Sequence, residues 1–343
     1  MNFTSSQLQY AISALSNLLG AGTTAADAMR EMAQLQPKQA QFWQEAAKKS
    51  ANGQSLSETL HPILDLATFS AINAAENSGT LPEVFAALEK AMEEKAVIRK
   101  TMRTIIYPFA MLIGAIGVFT MFLGFVVPNI SRSMPSSNAE KSKLNVIADV
   151  LHEFLVTYDI HLVIGIATTV VCIIFWLRNP ANRNRIVATL DNVPLLGSAS
   201  RDLFYGEWAM HMAINTNAGI TVLDAIHLTH KMLPAYYHPE LLAVANDITR
   251  IGSAAAASKK STTDPRNKMP FLIVNAFRFA ESTGIADKHF NRAANALIIQ
   301  GKKRVEIFVA IATNVIIPVA ASLAGGAMLP YFLQIGDSFS KIQ

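Results

Sequence analysis

Three runs of this chain carry no Asp, Glu, Lys or Arg, and they limit what it can fold into more than any other feature. The first covers residues 104–131, 28 residues between Arg103 and Arg132. The second covers 160–177, 18 residues between Asp159 and Arg178. The third covers 307–336, 30 residues between Glu306 and Asp337. A helix rising 1.5 Å per residue needs about 20 apolar residues to cross a hydrocarbon core of about 30 Å. The first and third runs have length to spare for tilt. The second just reaches, with His161 placed at the interface. Gly114, Gly117, Gly124, Gly325 and Gly326 suit membrane helices, where small residues let neighbours approach. Pro108 and Pro318 are tolerable there because neighbouring groups satisfy the freed backbone. A buried core helix is the alternative for each run. Composition argues against it, since only 16% of the 343 residues are charged where soluble domains carry about 25%.

The basic residues orient the spans, because cytoplasmic flanks are rich in Lys and Arg. Lys95, Arg99, Lys100 and Arg103 precede the first run, Arg178, Arg183, Arg185 and Arg201 follow the second, and Lys302, Lys303 and Arg304 precede the third. The expected layout is a cytoplasmic helical domain at 1–103, a span at 104–131, a periplasmic segment at 132–159 and a second span at 160–177. A second cytoplasmic domain follows at 178–305, then a span at 306–333 and a periplasmic tail at 334–343. The formal net charge is only +4, and its basic residues sit beside the apolar runs, so nucleic acid is not an expected partner. Cys172 is the sole cysteine, which excludes an intramolecular disulfide and a cysteine metal cluster. No secretory signal is read at the start of the chain.

An internal repeat organises the rest. The stretch from Leu18 to Met29, Leu-Leu-Gly-Ala-Gly-Thr-Thr-Ala-Ala-Asp-Ala-Met, is echoed from Asn215 to Ile226, pairing Ala21-Gly22 with Ala218-Gly219 and Asp27-Ala28 with Asp224-Ala225. Ala75-Glu76-Asn77-Ser78-Gly79 is echoed by Ala280-Glu281-Ser282-Thr283-Gly284. Gly22 lies 54 residues before Glu76, and Gly219 lies 62 before Glu281, so the second copy is longer by about eight residues. The Ser253–Lys268 loop is the expected place for them. Gly22, Gly219, Gly79 and Gly284 read as helix-ending glycines, Asn52-Gly53 and Ile251-Gly252 as turns, and Thr80 with Glu83 as a capping box. Each copy should form a bundle of about six short helices and lead directly into a span. The fold class is therefore an all-α membrane protein, with two homologous cytoplasmic helical-bundle domains and three transmembrane helices.

Enzymatic signatures are missing. There is no phosphate-binding Gly-x-x-x-x-Gly-Lys-Ser/Thr, no Gly-x-Ser-x-Gly and no His-Glu-x-x-His. Asp337 after Gly336 at a span end would suit an intramembrane aspartyl peptidase, but no second aspartate lies in another span. Asp224, His227 and His230 share one helix face that could hold a metal; a solvated face is the plainer reading. Glu76 and Glu281, at matching helix ends, could bind a cation, meet a partner or satisfy local backbone amides. No catalytic residue, cofactor or metal ligand is assigned.

The residues resemble the type II secretion F / type IV pilus PilC-like family of inner-membrane platform proteins. The resemblance rests on Leu-Leu-x-Ala-Gly (Leu18–Gly22), Asn-Gly-x-Ser-Leu-Ser (Asn52–Ser57), Ala-Glu-Asn-Ser-Gly-Thr-Leu (Ala75–Leu81), Tyr107-Pro108 at the first span, and the duplicated domain-plus-span plan. The second copy departs at Gly252-Ser253-Ala254, where the Asn-Gly-x-Ser-Leu turn would stand. The resemblance implies a non-enzymatic platform in the bacterial inner membrane, N-terminus cytoplasmic. It would couple a hexameric assembly ATPase to extrusion of pilin or pseudopilin subunits. Implied partners are that ATPase, the pilins, other inner-membrane assembly proteins, membrane lipid, and the chain itself as dimer or trimer. Glu76, Gly79, Glu281, Gly284, Gly22, Gly219 and the basic flanks are the candidates for docking or for structural turns. The short N-terminus and the Ala-Glu-Asn-Ser-Gly form lean toward a type IV or conjugative pilus over secretion. An oligomeric transporter or channel subunit is the alternative, though the spans hold no mid-membrane ionisable residue.

Overall fold

The computed structural model describes residues 3–121, 168, 180–255 and 269–340, and all regular structure among them is helical. The first copy contains α1 (Ser5–Gly20), α2 (Ala25–Leu35), α3 (Ala40–Ala51), α4 (Leu56–Leu60), α5 (Leu66–Ser78) and α6 (Leu81–Thr104). Side chains start these helices. Thr4, Thr24, Ser55 and Asp65 hold extended backbone and accept a hydrogen bond from the amide three residues on, which satisfies an otherwise orphaned N–H. Thr4 with Gln7 completes a reciprocal capping box. After the next helix, α7 (Ile106–Met121), and then α8 (Pro180–Asp191), the second copy runs α9 (Leu196–Asn217), α10 (Val222–Thr229), α11 (His238–Ile251), α12 (Phe271–Thr283) and α13 (Ala286–Ser340). A helical turn also begins at Ala254, in the place of α4. The order of the first copy is thus repeated.

The extra length of the second copy is divided. Between Gly22 and Gly53 lie the same elements as between Gly219 and Gly252, at separations of 31 and 33 residues. From Gly53 to Glu76 the separation is 23, and from Gly252 to Glu281 it is 29. Most of the insertion therefore falls in the expected loop, whose residues 256–268 lie outside the described ones.

Both copies belong to one compact unit, Met1–Thr101 together with Asn184–Val305. The first core is built on Trp43, Phe85, Ile12, Leu15, Met29 and Met32, all fully buried. The second uses more aromatic side chains, with Trp208 edge-on to Phe290 and to Tyr205, and Phe277 edge-on to Phe290. The central helix of this unit is α9, which buries 16 of its 22 residues where its counterpart α1 buries five of 16. The difference has a direct cause: α9 packs on its own copy and, through a second face, on α5 of the first copy. At matching positions α9 places Met210, His211 and Ile214 where α1 has Ser13, Ala14 and Asn17; Ile214 is 4% exposed while Asn17 faces solvent. α9 also crosses α13 closely. A Cβ on Gly206 would sit 2.7 Å from Ile298, and one on Gly301 2.7 Å from Leu203 and 3.0 Å from the Ala199 carbonyl.

The other compact unit is Met102–Arg183 with Glu306–Gln343. Two helical runs, Leu81–Val118 and Ala286–Ser322, are long and apolar enough to cross a bilayer; their most apolar windows have mean hydropathy 1.5 and 1.9 and are almost wholly unburied. Ile113, Ile116, Val118, Ile311, Val315 and Val319 project outward from them, a surface that water would not tolerate over such an extent. The first of these runs is interrupted at Ile105, between α6 and α7. Pro108 explains the break, because its ring excludes the carbonyl four residues earlier, Thr104, and it has no N–H to offer. Pro318 leaves α13 continuous through Ser340, past the expected end of the third span at residue 333. The expected second span at 160–177 and the 132–159 segment lie outside the described residues, apart from Thr168.

Candidate functional site

Glu76 and Glu281 are brought to matching turns by the same local logic. α5 ends beside the N-terminus of α4, where backbone amides point outward without partners. The Glu76 carboxylate accepts from the amides of Leu56 at 2.7 Å and Ser57 at 3.1 Å, and from the Ser57 hydroxyl at 3.0 Å. In the second copy, Glu281 accepts from the Ala255 amide at 2.7 Å and the Ser253 hydroxyl at 3.0 Å. Glu76 therefore caps the short helix α4, and Glu281 caps the helical turn that begins at Ala254; at α4 the favourable helix-end dipole adds to the hydrogen bonds. Of the three roles open to them in the sequence, satisfaction of local amides is the one the geometry displays.

Gly22 and Gly219 close the helices that lead into the repeat motif. Their φ angles are 82° and 90°. Around Gly22 the Thr23 amide donates to the Leu18 carbonyl and the Gly22 amide to Leu19; around Gly219 the Ile220 amide donates to Asn215 and the Gly219 amide to Thr216, all at 3.0–3.1 Å. These are two identical Schellman closures. Gly79 and Gly284 end α5 and α12 at φ 74° and 72°. The six residues singled out in the sequence thus form three matched pairs, and each pair builds the same turn in its own copy.

The basic flanks divide. Lys95 pairs with Glu207 at 2.8 Å, and Lys302 with Glu94 at 2.8 Å. Both ion pairs join the first copy to the second. Arg304 pairs with Asp202 within the second copy, and Arg201 meets Asp191 at 3.1 Å while the Tyr237 hydroxyl donates to the same carboxylate oxygen. Arg99, Lys100 and Arg103 face solvent. Burial pushes the Asp202 carboxyl up to about 6 against the pull of Arg304 and Arg201. Burial likewise lowers the pKa of His211, which faces Asp65 of the first copy, Glu207 and Lys95. This seam of paired charges was not visible in the sequence, because Glu94 and Lys302 stand 208 residues apart. One signal was available: Glu207 and His211 are the charged and titratable residues within the otherwise apolar run from Leu203 to Ile214.

Asp224, His227 and His230 do not converge. The Asp224 carboxylate accepts from the hydroxyl of Thr221 at 2.6 Å, Thr221 being the N-terminal cap that accepts from the Asp224 amide, and the His230 ring pairs with the His227 carbonyl at 2.7 Å. No group of three potential metal ligands occurs among the described residues.

A sequence profile of the family described as type II secretion system (T2SS), protein F matches residues 11–128 and 208–334. The two blocks start 197 residues apart, the same interval that separates Gly22 from Gly219. Type II secretion system protein F of Vibrio cholerae serotype O1 (strain ATCC 39315 / El Tor Inaba N16961) is 24% identical over 286 residues, covering 82% of this chain and 68% of that protein. The protein of the same name from Aeromonas hydrophila is 23% identical over 306 residues, covering 85% and 76%. A type 4 fimbrial assembly protein PilC of Pseudomonas putida is 22% identical over 290 residues, covering 83% and 71%.

Proposed function

Because the chain belongs to the type II secretion system protein F family, we propose that it is the inner-membrane platform through which a cytoplasmic hexameric ATPase drives extrusion of pilin or pseudopilin subunits. It is a platform and not an enzyme. The observation that carries this reading is mechanical. Two copies of one bundle are packed as a single body, with charged pairs and α9 locking them together. The last helix of each copy, α6 and α13, opens a helical run long and apolar enough to enter a bilayer. A body of that kind transmits displacement; it needs no reactive centre.

In this reading the chain spans the membrane three times with its N-terminus cytoplasmic, and residues 132–159 and 334–343 lie in the periplasm. Arg99, Lys100 and Arg103, exposed on the helical run that enters the first span, are placed to meet the motor or anionic lipid headgroups. The chain works as a dimer or trimer beside the other inner-membrane assembly proteins. Relatives named for secretion and for fimbrial assembly match at nearly equal identity, so the proposal covers both machines.

The test uses the full chain, since each copy covers part of the other. Full-length protein in membranes should retain the ATPase of its own gene cluster, and deletion of its gene should stop fibre assembly or secretion. Retention of fibre assembly after deletion, with no ATPase bound, would sink the proposal. For topology, Ser142→Cys in a Cys172→Ser background should react with a membrane-impermeant thiol reagent added from the periplasmic side. Reaction from the cytoplasmic side alone would overturn the three-span layout.

A further inference from the structure

The repeat allows one copy to serve as the template for reading the other. In the first copy, the surface between α5 and α6 is covered by a helix: α9 packs on α5 and joins α6 through Glu207 and Lys95, while Ala87 and Lys90 of α6 face Met210, Ile214 and Asn217 of α9 across a small cavity that Asp287 and Asn291 also line. The register of the two copies is fixed by Phe85 and Phe290, which are 205 residues apart and both fully buried. At that register Ala87 corresponds to Arg292. The surface of the second copy equivalent to the filled one is the groove between α12 and α13, and among the described residues it holds no helix. It encloses about 480 Å³ and is lined by Leu272, Ala276, Phe279, His289, Arg292 and Ala296.

This groove differs from its template in two ways. It is more apolar and aromatic, with Phe279 and Leu272 standing where the first copy has Ala74 and Ala67. Phe279 is 42% exposed, and Phe271, two turns away on the same face, is 71% exposed. Its rim is also cationic. The guanidinium of Arg278 lies 4.8 Å over the Phe279 ring, the His289 ring stacks on Phe279 at 5.5 Å, and Arg292 lines the wall.

We propose that the α12–α13 groove is a docking site for an acidic amphipathic helix of another protein. The template supplies the form of the occupant. What fills the equivalent groove is a helix with Met and Ile at three- to four-residue spacing and a single glutamate, Glu207, that pairs with Lys95 of the receiving copy. In the second copy the basic rim asks for the same helix with acidic flanks. A second copy of this chain fits poorly. The counterpart of α9 is α1, which has no acidic residue, turns Asn17 outward and engages Ser13 with Glu89 of its own copy. Two grooves facing each other would set Arg278 and Arg292 against their equals. The proposal does not depend on the motor reading above.

The experiment measures anisotropy of a labelled helical peptide with full-length protein in nanodiscs. The peptide carries Met and Ile along one face and glutamates on both flanks; a second peptide has lysines in their place. The glutamate peptide should bind at least tenfold more tightly. Phe279→Glu should abolish binding of both. Arg292→Glu should weaken the glutamate peptide about tenfold and improve the lysine peptide. Equal binding of the two peptides, or indifference to Arg292→Glu, overturns the proposal. So does a change of oligomeric state in Phe279→Glu without peptide binding to the unaltered chain, because the occupant would then be a second copy. Circular dichroism of both variants checks that the exposed substitutions leave the helices intact.

Discussion

The two copies follow one plan and apply it to different surroundings. In the first, α1 buries one face and shows the other to water, with Asn17 exposed and Ser13 and Ala14 half-buried beside it. In the second, α9 has no such free side, and the same positions carry Met210, His211 and Ile214. The turns between helices are the same in both, down to the hydrogen bonds of Gly22 and Gly219. Duplicated domains thus retain their backbone punctuation, which depends on φ and on single side-chain caps. Their faces diverge according to what covers them. The lesson is that α9 is shaped as an interface helix, while α1 is shaped as a surface helix.

The strongest way to break this contrast is at the close crossing of α9 on α13. Gly301→Val should cost about 3 kcal/mol or more, since even a Cβ there meets backbone as well as side chain and overpacking typically costs about 1–3 kcal/mol. The matching residue of the first copy is the exposed Ala96, and Ala96→Leu should stay within about 0.5 kcal/mol. Thermal unfolding of the purified chain compares them. Equal losses would mean that the two crossings are alike.

The paired carboxylates come next. Glu76→Ala removes three accepted hydrogen bonds at a half-buried turn and should cost about 2–3 kcal/mol. Glu281→Ala removes two at an exposed turn and should cost clearly less, as read from denaturant midpoints. A larger loss at Glu281 would reverse the ranking of the two caps.

How much of this was readable in the sequence depends on range. The helical turns were readable because Gly22, Gly53, Gly79 and their partners declare themselves within a few residues. The two long apolar helical runs were readable because absence of charge is a local property. The fusion of both copies into one compact unit was not, nor were the ion pairs of Lys95 and Lys302. Those two lysines were assigned to the membrane flank, and they do lie there in sequence, yet their ammonium groups are held by glutamates of the other copy. Nothing in a linear pattern distinguishes a lysine flanking a bilayer from one pairing across a domain seam. Glu76 and Glu281 were found by their repetition alone, and only coordinates could choose amide capping among their possible roles.

The charged seam sharpens the contrast through pH. Asp202 holds its proton up to about pH 6 in the folded chain, whereas unfolded aspartate releases it near 3.9. Between those values the folded state binds more protons, so this group's stabilisation is full below the unfolded pKa and is lost as pH rises through about 6. The first copy has Ser5 at the matching position and contributes nothing of the kind. Stability of the native chain minus that of Asp202→Asn should therefore fall by about 2 kcal/mol between pH 4 and pH 7. A flat difference would show that Arg304 keeps the carboxylate ionised throughout.

The smallest effect tests what the copies share. Gly22→Ala and Gly219→Ala meet no atom within 4 Å of the new Cβ, so each should cost about 1 kcal/mol from the left-handed backbone alone. The two melting shifts should agree. Unequal shifts would show that the closures differ in what they support.

The docking of α9 on the first copy also sets a timetable for synthesis. The first copy is complete when Thr101 has been made, but α9 begins only at Leu196. At about 5–20 residues per second, the ribosome takes on the order of 5–20 s to deliver it. Throughout that interval the surface between α5 and α6 stands uncovered beside a membrane that is receiving apolar helices. The nascent chain is then most exposed to capture by the wrong helix, from a neighbouring ribosome or from its own first span. A duplicated protein that locks its halves together late must keep the first half soluble and selective while it waits. The outer face of α1, small and polar apart from Tyr10, and the modest alanine-lined groove of the first copy meet that demand.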